Sequence, residues 1–309
     1  MKPLLVLFLL LFSLHSLSAQ APKPNRTKVV PLMPEGIKAG GSFMYTYVDE
    51  KKRRRMTAEV FMPAKATKPA PVIVMFFGGG WQNGRPGLFT PLAQHLTLRG
   101  YITVIPNYRL SGEAPFPAPV HDCKAAVRWV RASAKRLNAD PDRIAVMGGS
   151  AGGHLAAFVA ATNGDPAFEG MGDHKGQSSR VQAAVVMCGP VDLLTDDIRK
   201  RVEEGARAPV GDAILDFMGG MTPSANIEAY EQASPITHLD EDMPPTLFID
   251  GENDRPRVRY TDFWRKMDDL KIRHDFVMMH QAPHPFWVYE EWFMPTVEAV
   301  DTFLKETLH

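Results

Sequence analysis

Only two cysteines, Cys123 and Cys188, occur among the 309 residues. Two thiols cannot build a disulfide framework, and with no CxxC or HExxH spacing the sequence carries no zinc signature. Both are read as small buried thiols. Net charge is equally lacking. The 35 lysines and arginines are matched by 35 aspartates and glutamates, so no long-range field draws nucleic acid or an anionic membrane. The one dense basic cluster, Lys51-Lys52-Arg53-Arg54-Arg55, sits between strand-like residues 43–48 and 56–62 and reads as a solvated hairpin end. No apolar run reaches the ~20 residues that span a bilayer. The longest, residues 4–14, follows Lys2 and precedes Ser16-Leu17-Ser18-Ala19, which is the order of a secretory signal peptide. Residues 1–19 are therefore expected to be removed, leaving a secreted or periplasmic chain that starts at Gln20 and has no stable membrane anchor. Internal repeats and low-complexity tracts are missing too.

What is present fits one large globular unit: 45% of the residues are hydrophobic and 23% charged. Residues 20–41 are rich in Pro and Lys with little periodicity and are expected to form an extended N-terminal arm. From residue 42 onward, strand-length apolar runs at 72–77, 102–107, 144–147, 181–188, 246–250 and 275–279 alternate with longer helical patterns. Such alternation predicts an α/β fold, a mostly parallel central sheet flanked by helices on both faces. Val120, Cys123, Val127, Val130, Ala134 and Leu137 make one apolar helical stripe, and a last helix spans residues 290–308.

The pentapeptide Gly148-Gly149-Ser150-Ala151-Gly152 lies between the apolar run Arg143-Ile144-Ala145-Val146-Met147 and an Ala-rich helical pattern. Strand, sharp turn and helix in that order lift the Ser150 hydroxyl clear, and the glycines remove side chains that would collide. Ser150 is thus a candidate nucleophile. A nucleophilic serine needs a base, a group to orient the base and donors for the oxyanion. Asp254 follows the strand at 246–250, with Asp250 and Glu252 as competitors. His284 follows the strand ending at Met279, with His280 as its rival. Ser150, Asp254 and His284, each just beyond a predicted strand, keep the Ser-Asp-His chain order of one particular fold. Phe77-Gly78-Gly79-Gly80-Trp81 follows another strand; the N–H groups of Gly79 and Gly80, with that of Ala151, are the candidate oxyanion donors.

With these residues in place the chain resembles the α/β-hydrolase superfamily, in the lipase and esterase branch related to hormone-sensitive lipase. The likeness runs from about residue 43 to the C-terminus. It rests on Gly78-Gly79-Gly80-Trp81, Asn107-Tyr108-Arg109-Leu110, Asp122, Asn138-Ala139-Asp140-Pro141-Asp142-Arg143-Ile144, the Gly148–Gly152 stretch and Ala233-Ser234-Pro235-Ile236. Pro283-His284-Pro285-Phe286-Trp287 and Trp292-Phe293 are similar to the ends of secreted acetylxylan and feruloyl carbohydrate esterases. Two departures stand out. Phe77 occupies the family's usual His position, and Arg255-Pro256-Arg257-Val258 replaces its small apolar pattern after the acid. The resemblance implies a structural role for Asp122.

The resemblance also implies an α/β-hydrolase domain at 42–309 with a helical cap insertion at about 192–233. The expected activity is serine carboxylic-ester hydrolysis, removing short acyl groups from a small-molecule or polysaccharide ester, with no metal or organic cofactor. Met218 and Met221 in the cap are read as core filling. Trp81, Phe286 and Trp287 flank the expected site as candidate substrate contacts. A serine exopeptidase, a formamidase or a lactonase fits the same scaffold, and a non-catalytic binding protein is the reading from another class.

Overall fold

The computed structural model describes residues 26–31, 34–48, 54–208 and 211–308. The expected signal peptide lies outside them, as do Lys51, Lys52 and Arg53 of the basic cluster. In chain order the elements are β1 (Ile37–Val48), β2 (Arg54–Pro63), β3 (Ala70–Phe76), α1 (Thr90–Leu98), β4 (Ile102–Pro106), α2 (Ala118–Ala132), α3 (Ala134–Leu137) and β5 (Ala139–Gly149). There follow α4 (Ala151–Ala161), β6 (Ala183–Met187), α5 (Asp196–Gly205), α6 (Ala213–Phe217), α7 (Ile227–Ala233), α8 (Pro235–His238), β7 (Thr246–Gly251), α9 (Pro256–Asp269), β8 (His274–Met279) and α10 (Glu290–Leu308).

One eight-stranded sheet has the order β1-β2-β4-β3-β5-β6-β7-β8. β2 runs antiparallel to both neighbours, and the pairs from β4 through β8 are parallel. β3, β6 and β7 are buried along their whole length, as strands covered on both faces must be. The chain moves one way across the sheet from β3 to β4 and the other way from β4 to β5. Right-handed crossovers therefore put α1 and α2 on opposite faces. α10 joins α1, held by Tyr101 Oη donating to Asp301 Oδ1 at 3.2 Å and by the Arg99–Asp301 ion pair. α4 packs beside α2 and α8. Among the described residues, no helix is long and apolar enough to cross a membrane.

Two expected boundaries shift. The sequence extends the arm through residue 41, but β1 already begins at Ile37, which pairs with Pro63. The earlier part of the arm is also engaged: Lys28 bridges Tyr289, and Val29 N–H donates to Val288 O. Pairing with distant partners, invisible to local periodicity, makes both segments extended. The long apolar stripe at 120–137 is likewise divided at Ser133 into α2 and α3, and α3 closes on Asn138 in the left-handed region.

Candidate active site

β5 ends at Gly149, α4 starts at Ala151, and Ser150 between them has φ 57° and ψ −122°. That strained conformation is held by its surroundings: Ser150 N–H donates to Met187 O at 2.8 Å, and His154 N–H to Ser150 O at 3.0 Å. The glycines are sterically required. A Cβ on Gly148 would lie 2.0 Å from Gly152 O, and one on Gly152 would lie 1.9 Å from Phe76 O.

Ser150 Oγ–H points to His284 Nε2 at 2.9 Å, and His284 Nδ1–H donates to Asp254 Oδ2 at 2.7 Å. The structure thus brings the three predicted side chains into one hydrogen-bonded chain. The rivals are placed elsewhere. His280 is exposed and faces Glu252 at 3.8 Å, and Glu252 also accepts from Gln281 N–H. Burial works against the charge on Asp254, but the His284 hydrogen bond and charge, with Cys188 and Arg259 nearby, hold its carboxyl below the usual range. It is an acceptor at neutral pH, which fixes His284 with its proton on Nδ1 and leaves Nε2 free to accept.

Asp250, the third competitor, is fully buried behind this acid. It accepts from Arg259 Nη1 at 2.7 Å and from Cys188 Sγ at 3.1 Å. Donor atoms of Cys188, Asp254 and His284 lie within 4.8 Å of one another, close enough to share a metal ion. In this structure hydrogen bonds already engage all three side chains.

The loop after β3 brings Gly79 (φ 130°) and Gly80 (φ 61°) beside the serine turn. A Cβ on Gly79 would lie 2.1 Å from Asn83 O and break the loop's own turn, and one on Gly78 would lie 2.7 Å from Gly149 O and push the loop off the elbow. Ala151 N–H is in the first turn of α4, where a helix has no internal acceptor for it. Phe77, in the family's histidine position, stacks on Tyr108 at 4.4 Å, and Tyr108 Oη donates to Phe77 O at 2.7 Å. This stack and bond steady the loop without a histidine. Asp122 does what the resemblance implies. Buried at the base of α2, it accepts from Arg109 Nε, Nη2 and backbone N, each at 2.8 Å, and so pins the segment after β4.

A cavity of about 650 Å³ opens above Ser150. Gly80, Trp81, Arg259 and His284 line it from other parts of the chain, and Cys188, Asp192, Asp197, Ile198, Arg201, Asp212, Ala213 and Ile214 come from the segment between β6 and β7. Ion pairs run along this rim, Arg201 with Asp212 and Arg255 with Asp197. Of the three candidate substrate contacts, Trp81 does line the cavity, although its ring is mostly buried, stacked on Phe217 and edge-on to His154. Phe286 and Trp287 are corrected. Both are buried and neither is on the cavity wall. A Cβ on Gly149 would meet Trp287 at 2.4 Å, the indole lies edge-on to His284, and Phe286 packs edge-on against the indole. Met218 is buried and Met221 exposed, and neither lines the cavity.

This strand order, with its serine elbow and the loops after β7 and β8 converging on it, defines an α/β-hydrolase. Within that class the chain belongs to the BD-FAE family, whose match covers residues 58–262 and so includes Ser150 and Asp254 but stops short of His284. It is 38% identical over 190 residues to a Mycobacterium tuberculosis (strain ATCC 25618 / H37Rv) protein named probable carboxylic ester hydrolase LipM, over 61% of this chain and 42% of LipM. The chain thus spans about two fifths of the length of such relatives. Among solved structures, propionate-bound Est2, a thermophilic esterase of Thermogutta terrifontis, is 29% identical with a TM-score of 0.68, covering 89% of this chain and 96% of Est2. A truncated carbohydrate esterase from gut microbiota shares the fold with a TM-score of 0.73 at 24% identity, covering 90% and 99% of the two chains.

Proposed function

We propose that this protein is a secreted carboxylic ester hydrolase that removes short acyl groups from carbohydrate esters through a Ser150 acyl-enzyme. The observation that carries the reading is the continuous hydrogen-bonded chain from Ser150 Oγ through His284 to Asp254, open to a cavity. His284 Nε2 takes the Ser150 proton as Oγ attacks the ester carbonyl, and Asp254 stabilises the imidazolium that results. The N–H groups of Gly79, Gly80 and Ala151 receive the charge that develops on the carbonyl oxygen. The alcohol leaves with the proton from His284, and water repeats the attack on the acyl-enzyme.

Two features favour a short acyl group and a polar leaving group. The oxyanion loop is close under α6: a Cβ on Gly80 would lie 3.1 Å from Ala213 Cβ, which leaves little depth there. On the remaining wall Asp197, Arg201, Asp212 and Arg255, groups suited to sugar hydroxyls, stand among apolar side chains such as Ile198, Ile214 and Val258. The names of the relatives and the propionate- and butyrate-bound states of Est2 support the ester chemistry. The reading is tested by hydrolysis of p-nitrophenyl esters from acetate to decanoate, followed by acetate release from acetylated xylan. Rates should be highest for the shortest chains, and Ser150→Ala should lower kcat by ~10⁴ or more. Turnover that survives Ser150→Ala refutes the mechanism; activity confined to long chains refutes the short acyl pocket.

A further inference from the structure

Behind the acid end of the Ser150–His284–Asp254 chain lies a second charged group whose presence the ester reading does not require. Asp250 at the end of β7 is fully buried, and Arg259, in the first turns of α9, reaches back to it at 2.7 Å. Arg259 Nη1 is also 3.9 Å from Asp254 Oδ2, the same oxygen that accepts the His284 proton. Cys188, in the left-handed region after β6, donates to the other Asp250 oxygen. The backbone delivers Arg259 by a sharp entry: Arg255 is left-handed (φ 52°), Pro256 opens the helix, and one turn later the guanidinium faces the sheet.

An ion pair whose carboxylate is fully buried and whose guanidinium is half-buried is costly to desolvate and is weak evidence for stability in itself. Its placement suggests another use. The titratable and charged groups facing it are Cys188 after β6, Asp254 after β7, Tyr260 on α9 and His284 after β8. At the rim, Arg255 pairs with Asp197, and Glu252 faces His280. Arg259 is thus the cation next to the catalytic acid, and Asp250 is what holds it there.

Resting on the ester-hydrolase reading, we propose that Arg259 and Asp250 are positioning residues: Asp250 clamps the Arg259 guanidinium beside Asp254, and the pair sets the pH at which His284 becomes a free base. The two members act in opposite senses. Removing the cation leaves excess negative charge behind the chain, which stabilises the imidazolium; removing the anion leaves excess positive charge, which destabilises it.

The test is the acid limb of kcat/KM against pH, on p-nitrophenyl acetate, for wild type, Arg259→Met, Asp250→Asn and Arg259→Lys. Arg259→Met should move the limb up by roughly one pH unit and Asp250→Asn should move it down, while Arg259→Lys stays near wild type. Opposite shifts from two neighbouring substitutions are not expected of a general loss of packing. Limbs that stay fixed, or that move the same way in both variants, overturn the proposal. Should Arg259→Met fail to fold, the near-isosteric Asp250→Asn still gives a signed result. The low-field proton resonance of the His284–Asp254 hydrogen bond, followed against pH in a Ser150→Ala background, reads the same order without turnover. A chain that hydrolyses no ester would thus refute the ester reading while the proposed coupling is still decided.

Discussion

Gly152 leaves no room for a methyl group. Its Cβ would stand 1.9 Å from the carbonyl oxygen of Phe76, and backbone cannot give way as a flexible side chain can. Gly152→Ala should therefore force α4 away from β3 and cost about 3 kcal/mol or more, measured as a lower melting temperature together with loss of ester turnover. An unchanged melting temperature would mean that the elbow relaxes freely. At this scale much of the candidate site was legible. Ser150, Asp254, His284 and the glycine loop each follow a strand, so their convergence at one sheet edge follows from the order of elements. Cys188, Asp250 and Arg259 were not legible as a cluster. From the sequence, Asp250 reads only as an alternative orienting acid, and Cys188 as a small buried thiol. Cys188 meets Asp250 across 62 positions of sequence, and no local pattern reports such a contact.

At the scale of elements, the loop between β8 and α10 carries both the histidine and its support. Trp287 packs against His284 and under Gly149, and Phe89 packs on its other side. Trp287→Ala should cost about 3–5 kcal/mol through the cavity it leaves. It should lower kcat on p-nitrophenyl acetate with little change in KM, because it disturbs the base and touches no substrate. A large rise in KM with kcat preserved would return Trp287 to the substrate contacts. Sequence suggests such contacts because an aromatic residue two or three positions from His284 looks the same in one dimension whether it faces inward or outward. The division of the helical stripe at Ser133 was hidden for a similar reason: the apolar period continues across the break. The start of β1 at Ile37 depends on β2, a strand that the local composition of residues 37–41 cannot reveal.

The whole molecule has no net charge to set its response to acid, so particular buried groups do. His154 in α4 donates Nε2–H to Ala233 O at 2.8 Å and so ties the helix that follows Ser150 to α7. Its Nδ1 is buried without a partner among the described residues. Burial, only partly opposed by the Ala233 bond, lowers its pKa to about 4 from 6.5. Between those values the unfolded chain binds the proton and the folded one does not, so stability is complete above about pH 6.5 and falls as pH drops towards 4. The loss amounts to roughly 3 kcal/mol. Thermal melts from pH 7 to 4 should show this slope in wild type and a flatter one in His154→Gln; equal slopes would remove His154 as the cause.

By itself the sequence determined the class of fold, the family resemblance and the serine turn, and it narrowed the base to His284 or His280 and the orienting acid to Asp254, Asp250 or Glu252. These follow from the order of strands, helices and the loops after them, which local chemistry imposes: apolar period, glycine where a Cβ cannot fit, and polar side chains at strand ends. Only the tertiary structure decided which aromatics face the cavity, which of the three acidic candidates orients the histidine, and where the Asp250–Arg259 pair sits. Those outcomes depend on distances between groups far apart along the chain, fixed when the sheet is assembled and its helices close over both faces.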